Sequence, residues 1–212
     1  FRISKDSIFT GINNFTVHTV SDSDYWEYFG FTDQEVRGLL SYYEMEELYP
    51  VVKEWYDGYQ FGKEEIYCPW DVLNYIREHI GDRNVPPKLY WINTSGNEIV
   101  KKLIRRADSG MRDEIEQLIE GKSITKEIHM EMTYKDLDDP REGEADTKKE
   151  NLWSILYTTG YLTSKTPSSD GRHYNLEIPN KEIRAIFVMQ VREWMSETVI
   201  YGNTDRLLNF CQ

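Results

Sequence analysis

Trp55-Tyr56-Asp57-Gly58-Tyr59-Gln60-Phe61-Gly62, continued by Ile66-Tyr67-Cys68-Pro69-Trp70-Asp71-Val72, is the stretch around which this chain is organised. Val51, Val52 and Trp55 have the spacing of an amphipathic helix that ends here. Asp57-Gly58 is its stop, because glycine accepts the left-handed backbone that closes a helix. Tyr59 to Phe61 and Ile66-Tyr67 suit two short strands around a turn at Gly62-Lys63-Glu64-Glu65. Pro69 suits the first turn of a new helix, where its missing N–H costs nothing. Helix, hairpin and helix make a rigid aromatic corner, with Gly58 expected at positive φ and Trp55 and Trp70 expected to be largely buried. On physical grounds such a cluster is a local core, and it holds neither a nucleophile nor a metal-ligand set.

Upstream, residues 1 to 20 read as strand, turn and loop, and Asp22 to Phe29 as a short helix. Thr32 and Glu35 have the spacing of a capping box. It opens a helix with Val36, Leu39, Leu40 and Tyr43 on one face. Glu46 to Tyr56 continues helically, with Pro50 near its first turn. Downstream, Trp70 to His79 reads as a helix with Val72, Leu73 and Ile76 inward. Asn93-Thr94-Ser95 is a helix-start signal. The helix it opens carries Ile99, Val100, Leu103, Ile104 and Ala107 on one stripe and Lys101, Lys102, Arg105 and Arg106 on the opposite face. Met111, Ile115, Leu118 and Ile119 mark a further helix stopped by Gly121, followed by an extended segment from Ser123 to Met132. Asp136 to Asp146 is charged, contains Pro140 and Gly143, and reads as an exposed linker.

Past that linker the pattern changes. Leu152, Trp153, Ile155 and Leu156 mark a helix ending near Gly160. Tyr161 to Thr163 and Tyr174 to Ile178 read as strands around a polar tip containing Asp170-Gly171. Asn180 caps a long helix with Ile183, Ile186, Phe187, Val191 and Trp194 inward. Glu182, Arg184, Arg192 and Glu193 are expected on its outer, exposed face. Helix, strand, wing-like loop, strand and helix resemble a winged helix. The expected fold is mainly α with short antiparallel strands (α+β), divided into a helical lid-like region at 1–137, a winged-helix-like module at 147–198 and a linker at 199–212.

Composition narrows the function classes. The 212 residues are 39% hydrophobic and 29% charged, as in a water-soluble globular protein. No apolar run reaches the roughly 18 residues of a membrane helix. The chain opens on Phe1-Arg2-Ile3, which reads as mid-domain sequence without a signal peptide, so a piece of a longer cytoplasmic protein is expected. A net charge of −12 disfavours whole-surface binding to a phosphate backbone. Cys68 and Cys211 lie far apart in sequence, which suits a reducing compartment better than a disulfide framework. Asn14-Phe15-Thr16 and Asn93-Thr94-Ser95 match a glycosylation pattern but read as ordinary loop and cap residues.

The corner resembles the signature of a bacterial family, the AAA-ATPase-like proteins often fused to a PD-(D/E)XK-type nuclease domain. Four more stretches resemble that family in the same order: Arg2 to Phe15, Tyr28 to Thr32, Tyr90 to Ser95, and Gly160 to Thr163 with Ile178 to Glu182. Cys68 and Asp71 depart from the pattern, standing where the family usually has Asn and Ser. Asp71 is expected to serve as an N-cap in place of the Ser. The resemblance implies a non-catalytic segment that couples nucleotide state to an attached domain, with ATP and Mg bound by a P-loop core upstream and the nuclease downstream. Arg2 and Lys5 fall near the end of the family's ATPase core and are candidates to face nucleotide in the full-length protein; a solvated or salt-bridged cation is the plainer alternative.

The residues supply no catalytic set of their own. No Gly-x-x-x-x-Gly-Lys-Ser/Thr run occurs, so ATP turnover by this segment is not expected. Glu120-Gly121-Lys122 and Asp146-Thr147-Lys148 match the short acidic-x-Lys string of metal-dependent nucleases, but one reads as a helix cap and the other as linker. His18, His79, His129 and His173 are scattered, and no Gly-x-Ser-x-Gly elbow is present. The basic face of Lys101, Lys102, Arg105 and Arg106 reads either as a solvated helix surface or as a phosphate-contacting patch for nucleic acid. A free-standing winged-helix module contacting DNA or protein is the competing function. Protein contact is favoured, because the helix from Lys149 to Thr159 carries Leu152, Trp153 and Ile155 where base-reading groups would be needed.

Overall fold

A computed structural model describes residues 26–61, 64–91, 107–129, 145–167 and 172–193. The fold is α+β, with helices around two small antiparallel sheets. Helix α1 (Asp33–Tyr42) starts at the expected capping box. The Glu35 amide donates to Thr32 Oγ1 at 3.2 Å and the Thr32 amide to Glu35 Oε2 at 2.9 Å. A 3₁₀ turn (Glu46–Leu48) leads into α2 (Tyr49–Tyr56), with Pro50 in the first turn. Strands β1 (Tyr59–Phe61) and β2 (Glu64–Ile66) pair with Phe61 opposite Glu64, so β2 starts two residues earlier than the sequence suggests. Helix α3 (Pro69–Gly81) follows, and Phe31 and Tyr67 form an isolated bridge that ties the segment before α1 to the corner.

The first core lies between these helices: Val36 and Leu40 of α1, Val52 and Tyr56 of α2, Val72, Tyr75 and Ile76 of α3. Three expectations fail on α3. Trp70 is 60% exposed and Leu73 is 47% exposed, whereas Val72, Tyr75, Ile76 and His79 are buried. The helix is apolar on two faces, and only one of them can turn toward α1 and α2. Trp55 is half-buried. Asp71 is not the N-cap either. Pro69 takes the first helical position, which places the cap at Cys68 and carries Asp71 inside the first turn.

Helix α4 (Ser109–Ile119), β3 (Ile124–Glu127), helix α5 (Ala145–Thr158), β4 (Thr163–Pro167), β5 (His173–Glu177) and helix α6 (181–193) build the second core. The sheet order is β3-β5-β4, with Ile124 opposite Leu176 and Thr163 opposite Glu177. Met111, Ile115 and Leu118 pack with Trp153, Leu156, Ile183 and Phe187. Residues 107–129 thus pack with the C-terminal elements, on the far side of the expected division at 137. Helix α5 starts at Ala145, so Asp146-Thr147-Lys148 is helical and not linker; residues 136–144 and 199–212 lie outside the described residues. No helix among the described residues is long and apolar enough to cross a membrane.

Candidate functional site

The aromatic corner is clasped to the C-terminal elements by one close backbone approach and a set of side-chain contacts. Gly58 has φ 96°, and a Cβ there would sit 2.1 Å from the Pro179 carbonyl oxygen. Only glycine allows so close an approach. Asn180 Nδ2 donates to the Asp57 carbonyl at 2.9 Å, while its Oδ1 accepts from the Ile183 amide at 3.0 Å and caps α6. The Gln60 amide donates to Thr163 Oγ1 at 3.0 Å. Lys181 pairs with Glu54 at 2.5 Å, and Lys165 reaches Glu65 and Glu177 at 3.5 and 3.4 Å. The Trp91 ring bridges Tyr59 and Tyr161, with centroids 5.9 and 6.0 Å away.

Inside this clasp lies a buried pair of carboxyls. Asp71, in the first turn of α3, and Glu182, in the first turn of α6, are both 0% exposed. The Trp91 amide donates to Glu182 Oε1 at 2.8 Å. The two carboxyls face each other within the reach of a hydrogen bond that forms once one of them is protonated. Among the described residues no amide, hydroxyl or amine donates to either Asp71 oxygen or to Glu182 Oε2. Two ionised carboxylates are acceptors only, so their mutual bond requires a proton on one of them. Burial pushes Glu182 up to about 8, and the Asp71 charge pushes in the same direction. Burial also raises Asp71, against the opposing effect of hydrogen bonds from Cys68 and Glu182. Both carboxyls stand at helix N-termini, so the helix dipoles do not separate them; their mutual hydrogen bond lowers Asp71 and raises Glu182. Glu182 is therefore the acid that carries the proton at neutral pH, and Asp71 its acceptor. Burial pushes the Cys68 thiol up, which leaves it without nucleophilic character.

This arrangement binds a proton; it holds no nucleophile paired with a base. Among the described residues no group of three or more His, Cys, Asp or Glu side chains could hold a metal ion. Arg2, Lys5, Lys101, Lys102, Arg105 and Arg106 lie outside the described residues. Gly121 of the Glu120-Gly121-Lys122 string has φ 86° and donates its amide to the Leu118 carbonyl at 3.0 Å, the geometry of a helix end. His79 is buried and donates through Nδ1 to the Tyr75 carbonyl at 2.9 Å.

Glu182 overturns an expectation. The sequence reading places it on the exposed outer face of α6, with Arg184, Arg192 and Glu193; those three are exposed and Glu182 is not. Helical spacing carries the missed signal, since Glu182 stands one turn before Ile186 on the buried face. Cys68 and Asp71, the two departures from the pattern that the corner resembles, both lie against this cluster.

No family model and no solved structure matches the chain. It is similar to a curated protein of Azotobacter chroococcum mcd 1. That protein is named "Uncharacterized protein in vnfD 5'region" and is 26% identical over 192 residues. The match covers 87% of this chain and 31% of the relative, so the chain spans about a third of that protein's length.

Proposed function

We propose that the chain is a non-catalytic C-terminal segment of a cytoplasmic AAA-ATPase-like protein, which couples the nucleotide state of an upstream core to an attached downstream domain such as a nuclease. The five family-like stretches in register carry this reading. The clasp between the corner and α6 supports it mechanically: the Gly58–Pro179 contact and the buried Asp71–Glu182 pair join the two cores without an intervening flexible layer. A joint of this kind passes motion from one half to the other. ATP and Mg would bind upstream of these residues in the full-length protein, with Arg2 and Lys5 as candidate contacts. The test compares the 212-residue chain with a longer one that includes its native upstream sequence. The longer chain should bind and hydrolyse ATP, and the shorter one should not. Absence of nucleotide binding by the longer chain, or ATP turnover by the shorter one that is lost on mutating one of its own residues, would refute the assignment.

One observation favours a second reading. The order α4, β3, α5, β4, β5 and α6, with β5 central in its sheet, resembles that of a winged helix, and such modules bind nucleic acid or protein. The exposed face of α6 carries Lys181, which is paired with Glu54, together with Arg184, Arg192 and Glu193, a small set of charges that fits a protein partner or a phosphate backbone alike. A gel shift at low salt separates the two partners: tight duplex binding, lost on reversing Lys148 and Lys149 to Glu, would favour DNA.

A further inference from the structure

We propose that Asp71 and Glu182 form a one-proton lock between helices α3 and α6: with the proton in place the two carboxyls hold the two cores together, and its loss releases them. Two carboxyls meet in a site from which water is excluded, each fully buried. Neither is paired with a lysine, arginine or histidine among the described residues. Among the described residues the groups around them are the Cys68 thiol, the phenols of Tyr56, Tyr59, Tyr90 and Tyr161, and the Trp91 amide. None of these offers a positive charge. Burial holds the tyrosines above their ordinary range, so none of them becomes an anion in the window where Glu182 titrates. A single proton converts the contact from two repelling anions into a hydrogen bond between an acid and a carboxylate. The carboxyls come from the two halves of the molecule, Asp71 from the corner helix and Glu182 from the helix that Asn180 caps against the Asp57 carbonyl. Repulsion between them therefore acts across the joint and not within one element.

The sign is fixed by the direction of the shift. Glu182 in the folded chain holds its proton more tightly than in the unfolded chain. Its contribution is complete below about pH 4.5 and is lost as pH rises to about 8. The experiment is equilibrium unfolding of the 212-residue chain across that window, for wild type and Glu182→Gln. The amide keeps an acceptor for the Trp91 amide and supplies a permanent donor to Asp71. Relative to this variant, wild type should lose up to about tenfold in its folded-to-unfolded ratio per pH unit. Parallel pH profiles would overturn the proposal. Isotope-edited infrared spectra of wild type with labelled glutamate keep the test open if the variant does not fold. A protonated carboxyl band at neutral pH that disappears above pH 8 supports the lock, and its absence at neutral pH overturns it. Calcium or magnesium chloride, set against sodium chloride of matched ionic strength, probes the alternative of a cation between the carboxyls. Stabilisation above pH 8 by the divalent salt alone, absent in Glu182→Gln, would replace the proton by a metal and overturn the proposal.

Discussion

Replacing Gly58 with alanine tests the joint at its tightest point. Two costs combine there. Gly58 has φ 96°, a conformation that costs an L-residue about 1–2 kcal/mol. The new methyl group would also stand 2.1 Å from the Pro179 carbonyl oxygen and 2.9 Å from its carbon. Both are backbone atoms, so no side chain can swing aside. The corner must move away from Pro179, which breaks the Asn180–Asp57 bond of 2.9 Å and removes a further contribution of roughly 1 kcal/mol. The lower conformational entropy of unfolded alanine returns about 0.4–1 kcal/mol. The expected net loss is about 1–2.5 kcal/mol or more, read as a shift of the urea midpoint at constant slope. Gly121→Ala is the internal control. Its φ is 86°, but a Cβ there meets nothing within 4 Å, so it should show the conformational cost alone. Equal destabilisation by the two substitutions would refute the contact between the corner and Pro179. A larger loss at Gly58, accompanied by changed fluorescence from Trp91 between Tyr59 and Tyr161, is the expected result.

Two further outcomes follow from the same geometry. Burial opposes ionisation of Asp33, but hydrogen bonds from Tyr49, Arg37 and Tyr67 outweigh it and hold the group at about 2, so its contribution is present above about pH 3.8 and is lost as pH falls toward 2. Acid unfolding should show wild type losing stability relative to Asp33→Asn across that window, modestly, because the side chain is 42% exposed; coincident curves would remove the network from the account. Trp153→Ala should cost roughly 3–5 kcal/mol in chemical denaturation, since the side chain is 1% exposed within the second core. Trp70→Ala should cost about 1 kcal/mol or less, because its indole is exposed and makes one long bond of 3.4 Å to the Tyr90 carbonyl. Equal costs would mean that burial does not separate the two tryptophans.

The contrast between these tryptophans shows where reading a sequence stops. Helix α3 carries Val72, Tyr75 and Ile76 on one face and Trp70, Leu73 and Ile80 on another, and its periodicity is compatible with burying either. The direction is chosen by α1 and α2, which meet the first face. At the candidate site the gap is wider. Glu182 reads as a surface residue of α6, and its position before Ile186 is the only local hint of burial. Its hydrogen-bond donor, the Trp91 amide, lies 91 positions away.

What the sequence by itself determined are features held by partners within about one turn of each other: the Thr32–Glu35 box, the positive φ at Gly58, Pro69 at the head of α3, and Asn180 at the head of α6. Each depends on backbone conformation and on side-chain reach across three or four residues, which spacing specifies directly. Only the tertiary structure decided that Pro179 stands against Gly58, that β3 joins the sheet of β5 and β4, and that Asp71 and Glu182 are buried against each other. Those features depend on which surfaces of separate elements meet, and on the exclusion of water where they do. A carboxylate that is ordinary in water becomes a proton-binding group only after another part of the chain has closed over it.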